Sequence, residues 1–468
     1  MKIVLLVPDG VAVRNYIYSN FVEELTRNGY EVVLYHQIPN AAIDEITKAK
    51  GTTLSDIIKI PDFKEHFFSR ILKESIVYAR LLQNKTKLKN DTIMLFWNRN
   101  QKGFKRNTLL RISEFFGYFL SKSYALILKF EAVYDTLVMK NAATALIEND
   151  LLAIKPNYIL NLHQRAVICA PVINAAKKHS IPVGTVIFSW DNIPKARLVS
   201  KYDQYFVWSD LMKKELNLLY PEINSNQVHV TGTPQFEFYF KEQFLHSKED
   251  FFNTHGLDLN KKTICFSSND TSSPYEQNYF EDLCEELMKI EESERPQILF
   301  RKCPVDKTNR FDAVLQKYKG LIISIEPDWR IPSDDTSFIY IYPSYEDYKL
   351  LANTVLHSDV VVNLGSTMAH DFAVFNKPCL YLNYDPVANS TFKVNEVYQF
   401  QHFRSMNDLN AVGWIDSKLD FIPKIKMALE HPDKIGNDRL QWMQRIVKYP
   451  LQENSANLAQ EIKRCTSV

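Results

Sequence analysis

The sequence predicts an α/β protein built of two doubly wound parallel-sheet domains in tandem, with a helical insertion in the first. Three observations carry this prediction. The chain opens strand–helix–strand, the start of a parallel sheet. The same alternation restarts after Gly232-Thr233-Pro234. Finally, 468 residues exceed what one ordinary hydrophobic core holds.

The first domain is expected over 1–240. Lys2 to Val7 is an apolar run fit for a buried strand, and Asn15 to Arg27 reads as a helix stopped at Asn28-Gly29. Tyr30 to Tyr35 is the second strand. Only Gly10 lies in the first turn, so the glycine fingerprint of a dinucleotide fold is missing and such a cofactor is not expected there. After the insertion come the strand Tyr158 to Leu162 and the helix Pro171 to His179. The strands Pro182 to Phe188 and Gln204 to Trp208, the helix Asp210 to Leu219 and the short strand Val228 to Thr231 close the domain.

The insertion runs from Phe63 to Leu137 and reads helical, aromatic and basic. Lys85, Lys87, Lys89, Arg99, Lys102, Lys105, Arg106 and Arg111 face few acids, and Leu109, Leu110, Phe115, Phe116, Tyr118, Phe119 and Leu120 are interleaved with them. A basic amphipathic helix can lie on an anionic membrane. The sequence favours the plainer alternative, a subdomain packed on the sheet with a solvated basic rim.

A polar, aromatic-rich stretch to about Asn260 leads into the second domain, expected over 241–450. Its strands are Lys262 to Ser267, Gln297 to Arg301, Phe338 to Tyr342, Val360 to Asn363 and Cys379 to Leu382. Its helices include Tyr275 to Ile290, Asp347 to Leu356 and Met368 to Phe375. A C-terminal helix is expected over 451–468. Open parallel sheets bind ligands at the carboxyl ends of their strands, so two such domains should face a shared cleft.

Asp359 to Asp385 carries the most chemistry. It reads as a strand, a tight turn (Asn363-Leu364-Gly365-Ser366-Thr367), a helix and a second strand. Free amides and two hydroxyls at the start of that helix suit an anion. Asp371, one turn in, could accept hydrogen bonds from a ribose diol. A phosphate site beside a carboxylate suggests a nucleotide; plain helix capping by Ser366 and Thr367 is the alternative.

Composition narrows the classes. Apolar residues make up 46% and charged residues 24% of the chain, with a net charge of +1, which fits a soluble protein and argues against a nucleic-acid binder. Six cysteines are scattered singly without metal-ligand spacing, as expected of reduced core thiols in the cytoplasm. MKIVLLVPDG breaks its apolar run at Pro8 and Asp9, so it reads as a strand and not a signal peptide. No apolar run is long enough to span a bilayer.

Several segments resemble nucleotide-sugar-dependent glycosyltransferases of the GT-B fold, of the type that builds bacterial surface polysaccharide. VHVTGTPQFEFY (Val228 to Tyr239) is similar to the segment entering the interdomain linker, and GLDLNKKTICFSSND (Gly256 to Asp270) to the first donor-domain strand and its loop. Tyr345 to Asp385 resembles the donor-binding core, and SWDN (Ser189 to Asn192) a strand-end motif of the first domain. The resemblance implies two Rossmann-like domains, a nucleotide-sugar donor in the second and a glycan or lipid-linked acceptor in the first. Gly365, Ser366 and Thr367 then match the diphosphate turn and Asp371 the ribose acid, with Ser267, Ser268 and Asn269 lining the diphosphate from the other side. Arg301 and Lys302 fall where a cation would stabilise the leaving diphosphate, and Tyr342 and Pro343 where the base would be held.

Many retaining enzymes of this kind place two Glu residues around this helix; here the equivalents are Asn363 and Asp371. Asn cannot supply the first carboxylate, which points to an inverting mechanism with a general base on the acceptor side. Asp9, His163 and Asp191, all at strand ends, are the candidates. Trp190 could stack on a sugar, and Arg14 and Lys195 could meet anionic groups. No metal and no cofactor are expected: Asp334-Asp335 reads as a turn, and GT-B enzymes generally use side chains and a helix dipole. The alternatives are a nucleotide-sugar 2-epimerase or glycerophosphate-type polymer transferase of the same architecture, and a non-catalytic nucleotide-sugar binder. The expected location is cytoplasmic, with peripheral contact at the inner face of the membrane if residues 63–137 bind lipid.

Overall fold

The computed structural model describes residues 1–97, 103–331 and 340–467. Arg99, Lys102, Asp334, Asp335 and the start of the expected strand Phe338 to Tyr342 lie outside the described residues. The chain divides into two compact units. One comprises Met1–Gln235, Phe400–His402 and Ile446–Val468, the other Phe236–Gln399 and Phe403–Arg445. The C-terminal helix Asn454–Thr466 belongs to the first unit, where it packs on the helix Phe21–Arg27.

The strands, in chain order, are β1 (Lys2–Val7), β2 (Glu31–His36), β3 (Asp56–Lys59), β4 (Tyr158–Asn161) and β5 (Val183–Val186). Then come β6 (Gln204–Val207), β7 (Val228–Val230), β8 (Thr263–Ser267), β9 (Gln297–Arg301) and β10 (Ile322–Ile325). The last are β11 (Trp329–Arg330), β12 (Tyr342–Pro343), β13 (Val360–Asn363), β14 (Cys379–Leu382) and β15 (Gly413–Ile415). The first unit holds a seven-stranded sheet in the order β3-β2-β1-β4-β5-β6-β7, and the second a six-stranded sheet in the order β10-β9-β8-β13-β14-β15. All neighbours in both sheets are parallel. Helices on both faces explain why the central strands β4, β5, β8, β9, β13 and β14 are buried at every position, as continuous apolar runs require.

Each sheet reverses direction of growth once. In the first unit the chain builds β2 and β3 on one side of β1 and β4 to β7 on the other, so the reversal falls between β1 and β4. In the second it falls between β8 and β13. Strand ends diverge at such a point and leave a crevice where open α/β sheets bind ligands.

Four expectations need correction. Asn15 to Arg27 is not one helix: a short turn (Gly10–Ala12) runs into a widened π turn (Val13–Ile17) before the helix Phe21–Arg27. The Ser19 hydroxyl makes the break, donating to the Tyr16 carbonyl at 2.8 Å and accepting from the Phe21 amide at 3.2 Å. Such local bonding competes with a helix. Tyr342 is not in the main sheet; it pairs antiparallel with Arg330 in a two-stranded ribbon. β3, β10 and β15 went unread, being short or charged at their ends. The polar stretch before Asn260 contains a helix, Lys248–His255, capped by Ser247.

The insertion lies between β3 and β4 and consists mainly of the helices Phe67–Leu88, Phe104–Leu120 and Tyr124–Met139. Ile76, Ala79, Leu120, Ile127, Tyr134 and Val138 form its core together with Ala170, on the helix Ala170–Lys178 beside the sheet. A Cβ at Gly117 would meet the Ser75 carbonyl at 2.6 Å, so glycine there lets the helices Phe67–Leu88 and Phe104–Leu120 approach closely. Buried Arg80 donates to the insertion's own Glu131 at 2.6 Å and to Glu222, in the loop before β7, at 2.7 Å, tying the insertion to that loop.

Candidate functional site

In the first unit, the crevice between β1 and β4 holds two of the three expected bases. Asp9 follows β1 and caps the turn Gly10–Ala12, its Oδ1 accepting from the amides of Val11 at 3.1 Å and Ala12 at 3.0 Å. Its Oδ2 contacts Nδ1 of His163, just past β4. Asn161, the last residue of β4, fixes the His163 backbone from both sides. Its side chain accepts from the His163 amide and donates to the His163 carbonyl, each at 3.1 Å, and also donates to the Tyr202 hydroxyl at 2.8 Å.

A carboxylate only accepts, so Nδ1 carries a hydrogen toward Asp9, and Nε2 is the ring nitrogen left to exchange a proton. That Nε2 is buried and has no hydrogen-bond partner among the described residues. The Phe188 ring stands edge-on to the imidazole at 4.0 Å. Burial alone would raise the Asp9 carboxyl, but the charge and hydrogen bond of His163 and the two amides outweigh it and hold it below its ordinary value. Asp9 thus orients a ring whose other nitrogen is open to a proton.

Asp191 is placed differently. It accepts from Ser189 at 2.7 Å and Asn192 at 2.8 Å and forms an ion pair with Lys195. Burial opposes its charge, yet Lys195 and His402 hold it well below the usual carboxylate range. Trp190 is buried, its ring 4.7 Å from that of His402, so it does not present a free face. Arg14 donates to Asn15 at 3.3 Å. Arg165 donates to Asn192 at 2.9 Å, and its buried Nε has no partner among the described residues. It also borders a cavity of about 70 Å³ shared with Arg80, Tyr134, Arg197 and Tyr220.

The second unit's crevice joins the two expected donor loops directly. The Asn269 side chain, past β8, donates to the Leu364 carbonyl, past β13, at 2.6 Å. Most polar groups of the first loop are used within it. The Ser268 hydroxyl accepts from the Cys303 amide at 3.0 Å, the Asn269 amide donates to Glu276 at 2.8 Å, and Ser267 is buried. Arg310, which the sequence reading passed over, donates to the carbonyl of Asn269 at 2.8 Å and to Glu276 at 3.1 Å. Burial pushes the Glu276 carboxyl up to about 8 against the pull of Arg310.

The second loop is only partly committed. Asn363 is fully buried and accepts from the Ser366 amide at 2.8 Å, so that amide is not free, contrary to expectation. The Ser366 hydroxyl accepts from Met368 at 3.4 Å. Among the described residues, the amides of Gly365 and Thr367 and the Thr367 hydroxyl find no partner, and Thr367 is exposed. Gly365 has φ +63°, and a Cβ there would sit 2.9 Å from the Phe403 ring; only glycine fits without strain. The helix Met368–Val374 is a bare two turns, so its dipole is modest. Asp371 is nearly buried, and one oxygen accepts from the Tyr239 hydroxyl at 2.8 Å.

Arg301, closing β9, forms a buried pair with Asp347 at 3.0 and 3.2 Å. Asp347 also accepts from the Asp328 amide and the Trp329 indole. Nη1 of Arg301 is buried without a partner among the described residues. Lys302 donates to the Thr308 carbonyl at 2.5 Å and Tyr342 is buried in its ribbon. Polarity at the buried ends of β4 and β13 (Asn161, Asn363) was the sequence signal for these positioning groups.

One group of metal-ligating types exists among the described residues, His229 with Glu461 and Cys465. Glu461 contacts Nδ1, Gln204 and Cys465 lie at Nε2, and Arg464 sits alongside. Opposite ring nitrogens and a neighbouring cation make this a hydrogen-bonded cluster more readily than a metal site.

No protein-family model and no curated protein matches the chain. Solved structures do. The UDP-GlcNAc 2-epimerase of Neisseria meningitidis bound to UDP-GlcNAc aligns at 12% identity with a TM-score of 0.55, over 99% of this chain and 100% of that one. The Methanocaldococcus jannaschii UDP-GlcNAc 2-epimerase aligns at 13% identity and TM-score 0.52, over 99% and 100%. A Rickettsia africae glycosyltransferase aligns at 11% identity and TM-score 0.53, over 100% and 98%. At such identities the likeness is one of fold: two Rossmann-like parallel-sheet units of the GT-B kind.

Proposed function

We propose that this chain is an enzyme acting on a nucleotide sugar, with the nucleoside diphosphate held by the second unit and acid–base chemistry supplied by His163 of the first. The observation that carries the reading is the Asp9–His163 pair, which leaves a buried, unpartnered Nε2 at the sheet's reversal point. A buried nitrogen without a protein partner needs water, an ion or a ligand to satisfy it, and this one stands at a strand end where open sheets bind ligands. The unpartnered Nη1 of Arg301 and the open amides of Gly365 and Thr367 support an anion in the second unit.

Two activities use such a base. In glycosyl transfer, Nε2 takes the proton of an attacking acceptor hydroxyl while the diphosphate leaves, which inverts the anomeric carbon. The engaged state of Asp191 leaves one oriented base, as this needs. In 2-epimerisation, a base takes the C2 proton as the C1–diphosphate bond breaks and a C1–C2 double bond forms; return of a proton to the other face of C2 and of the diphosphate to C1 gives the epimer. The fold likeness to two solved 2-epimerases favours this second reading over the first.

Incubation with UDP-GlcNAc and other nucleotide sugars separates them. Nucleoside diphosphate released in step with glycosylated acceptor supports transfer. A reversible C2 epimer formed without acceptor supports epimerisation. Binding without turnover would leave a nucleotide-sugar binder and remove His163 from catalysis. The same assay should proceed with a chelator present.

A further inference from the structure

The insertion's outward surface is the least expected feature of the molecule. Phe104, Phe115, Phe116, Tyr118 and Phe119 are each more than half exposed, although all lie on one well-formed helix, Phe104–Leu120. Leu109, Leu110, Ser113, Gly117 and Leu120 are the residues this helix buries, so the aromatics are left over after its core contacts are made. Spacings of three and four residues place Phe104, Arg111, Phe115, Tyr118 and Phe119 on one face. Phe115 and Phe119 pack edge to face at 5.0 Å, and Lys122 sits 4.0 Å over the Tyr118 ring. The next helix adds exposed Leu126 and Val133. Scattered exposed apolar residues are ordinary, but a contiguous aromatic patch marks an interaction surface.

Charge decides what that surface fits. The exposed charged residues between 103 and 140 are Lys105, Arg106, Arg111, Lys122, Lys129 and Lys140, all cations. The three acids of this stretch turn inward: Glu114 accepts from Trp97 at 2.7 Å, Glu131 from Arg80 at 2.6 Å and Asp135 from Asn174 at 3.2 Å. A chain of net charge +1 thus concentrates uncompensated positive charge around exposed aromatic rings. A second copy of the same face would bring cations against cations.

We infer that this face docks on an anionic lipid surface, aromatic rings entering the interface and lysines and arginines meeting the headgroups. No helix among the described residues is long and apolar enough to cross a membrane, so the mode is lying on the bilayer. The reading is independent of the proposed chemistry, since no residue of either crevice takes part.

The test is flotation of the full-length protein with neutral phosphatidylcholine vesicles and with vesicles carrying about 30% phosphatidylglycerol. Binding to the anionic vesicles alone is expected, weakened at least tenfold on raising salt from about 0.1 M to about 0.5 M, because headgroup attraction is screened. Phe115→Ser with Phe119→Ser, and separately Arg111→Glu with Lys122→Glu, should each lower partitioning at least tenfold while the circular dichroism spectrum and nucleotide-sugar turnover stay unchanged. Having two independent variant pairs keeps the test decisive if one misfolds. Absence of flotation, flotation that both pairs leave intact, or a dimer in solution that they dissolve would overturn the assignment.

Discussion

Nδ1 of His163 meets the carboxylate of Asp9 across 154 residues of sequence, at the point where the first sheet reverses direction. The pairing aims one imidazole nitrogen at Asp9 and leaves the other open. His163→Ala should lower kcat by about two to four orders of magnitude, the usual share of a general base. Asp9→Asn should cost less, since the ring stays but loses its orienting charge. Steady-state kinetics on the two variants checks both, and an unchanged kcat in His163→Ala would contradict the role.

The same contact sets an acid dependence of stability. Asp9 is held below its ordinary pKa in the folded chain, so at mildly acid pH the unfolded chain binds more protons than the folded one. Its contribution is complete above the ordinary carboxylate range and is lost as pH falls through the folded value. Urea unfolding of the wild type should therefore show a decline on the acid side that Asp9→Asn flattens. Parallel acid limbs would contradict this.

Arg301 and Asp347 form a pair in which both side chains are almost fully buried. Removing one partner leaves the other charge uncompensated, at a cost of about 3–5 kcal/mol. Arg301→Met should show that loss in denaturant unfolding. A change below about 1 kcal/mol, the size of a surface ion pair, would mean the pair is solvated.

Asp371 accepts from the Tyr239 hydroxyl at 2.8 Å, and the proposed nucleotide site makes it the ribose-binding acid. Asp371→Ala should weaken nucleotide-sugar binding about tenfold, in line with the worth of a hydrogen bond to a charged group. Tyr239→Phe should leave affinity nearly unchanged. Calorimetric titration reads both, and equal affinities in wild type and Asp371→Ala would remove Asp371 from the site.

Much of the fold was legible because strands buried on both faces read as apolar runs, as at Lys2 to Val7 and Cys379 to Leu382. β3 escaped because its four residues, DIIK, carry a charge at each exposed end. The break inside Asn15 to Arg27 depends on where one hydroxyl, that of Ser19, finds partners. Strand order is not a local property, so the meeting of Asp9 with His163, or of Asn269 with Leu364 95 residues away, could not be read. The strand-end positions were read, but their commitments were not. Ser268, Asn269 and Asp191 carry the right chemistry and spend it on neighbouring groups. Phe115 and Phe119 were grouped with buried Leu109 and Leu110, since composition does not tell which helix face is covered.

Nucleotide binding by the second unit turns on Gly365 to Thr367, and Thr367 offers the cleanest test because it is exposed and its hydroxyl has no partner among the described residues. Thr367→Glu puts a negative charge beside the proposed diphosphate without disturbing the core. Calorimetric titration with UDP, GDP and CDP should give measurable binding of at least one to the wild type and at least tenfold weaker binding to the variant, about 1.4 kcal/mol, at an unchanged melting temperature. Equal affinity in the two proteins would place the nucleotide elsewhere and contradict the account.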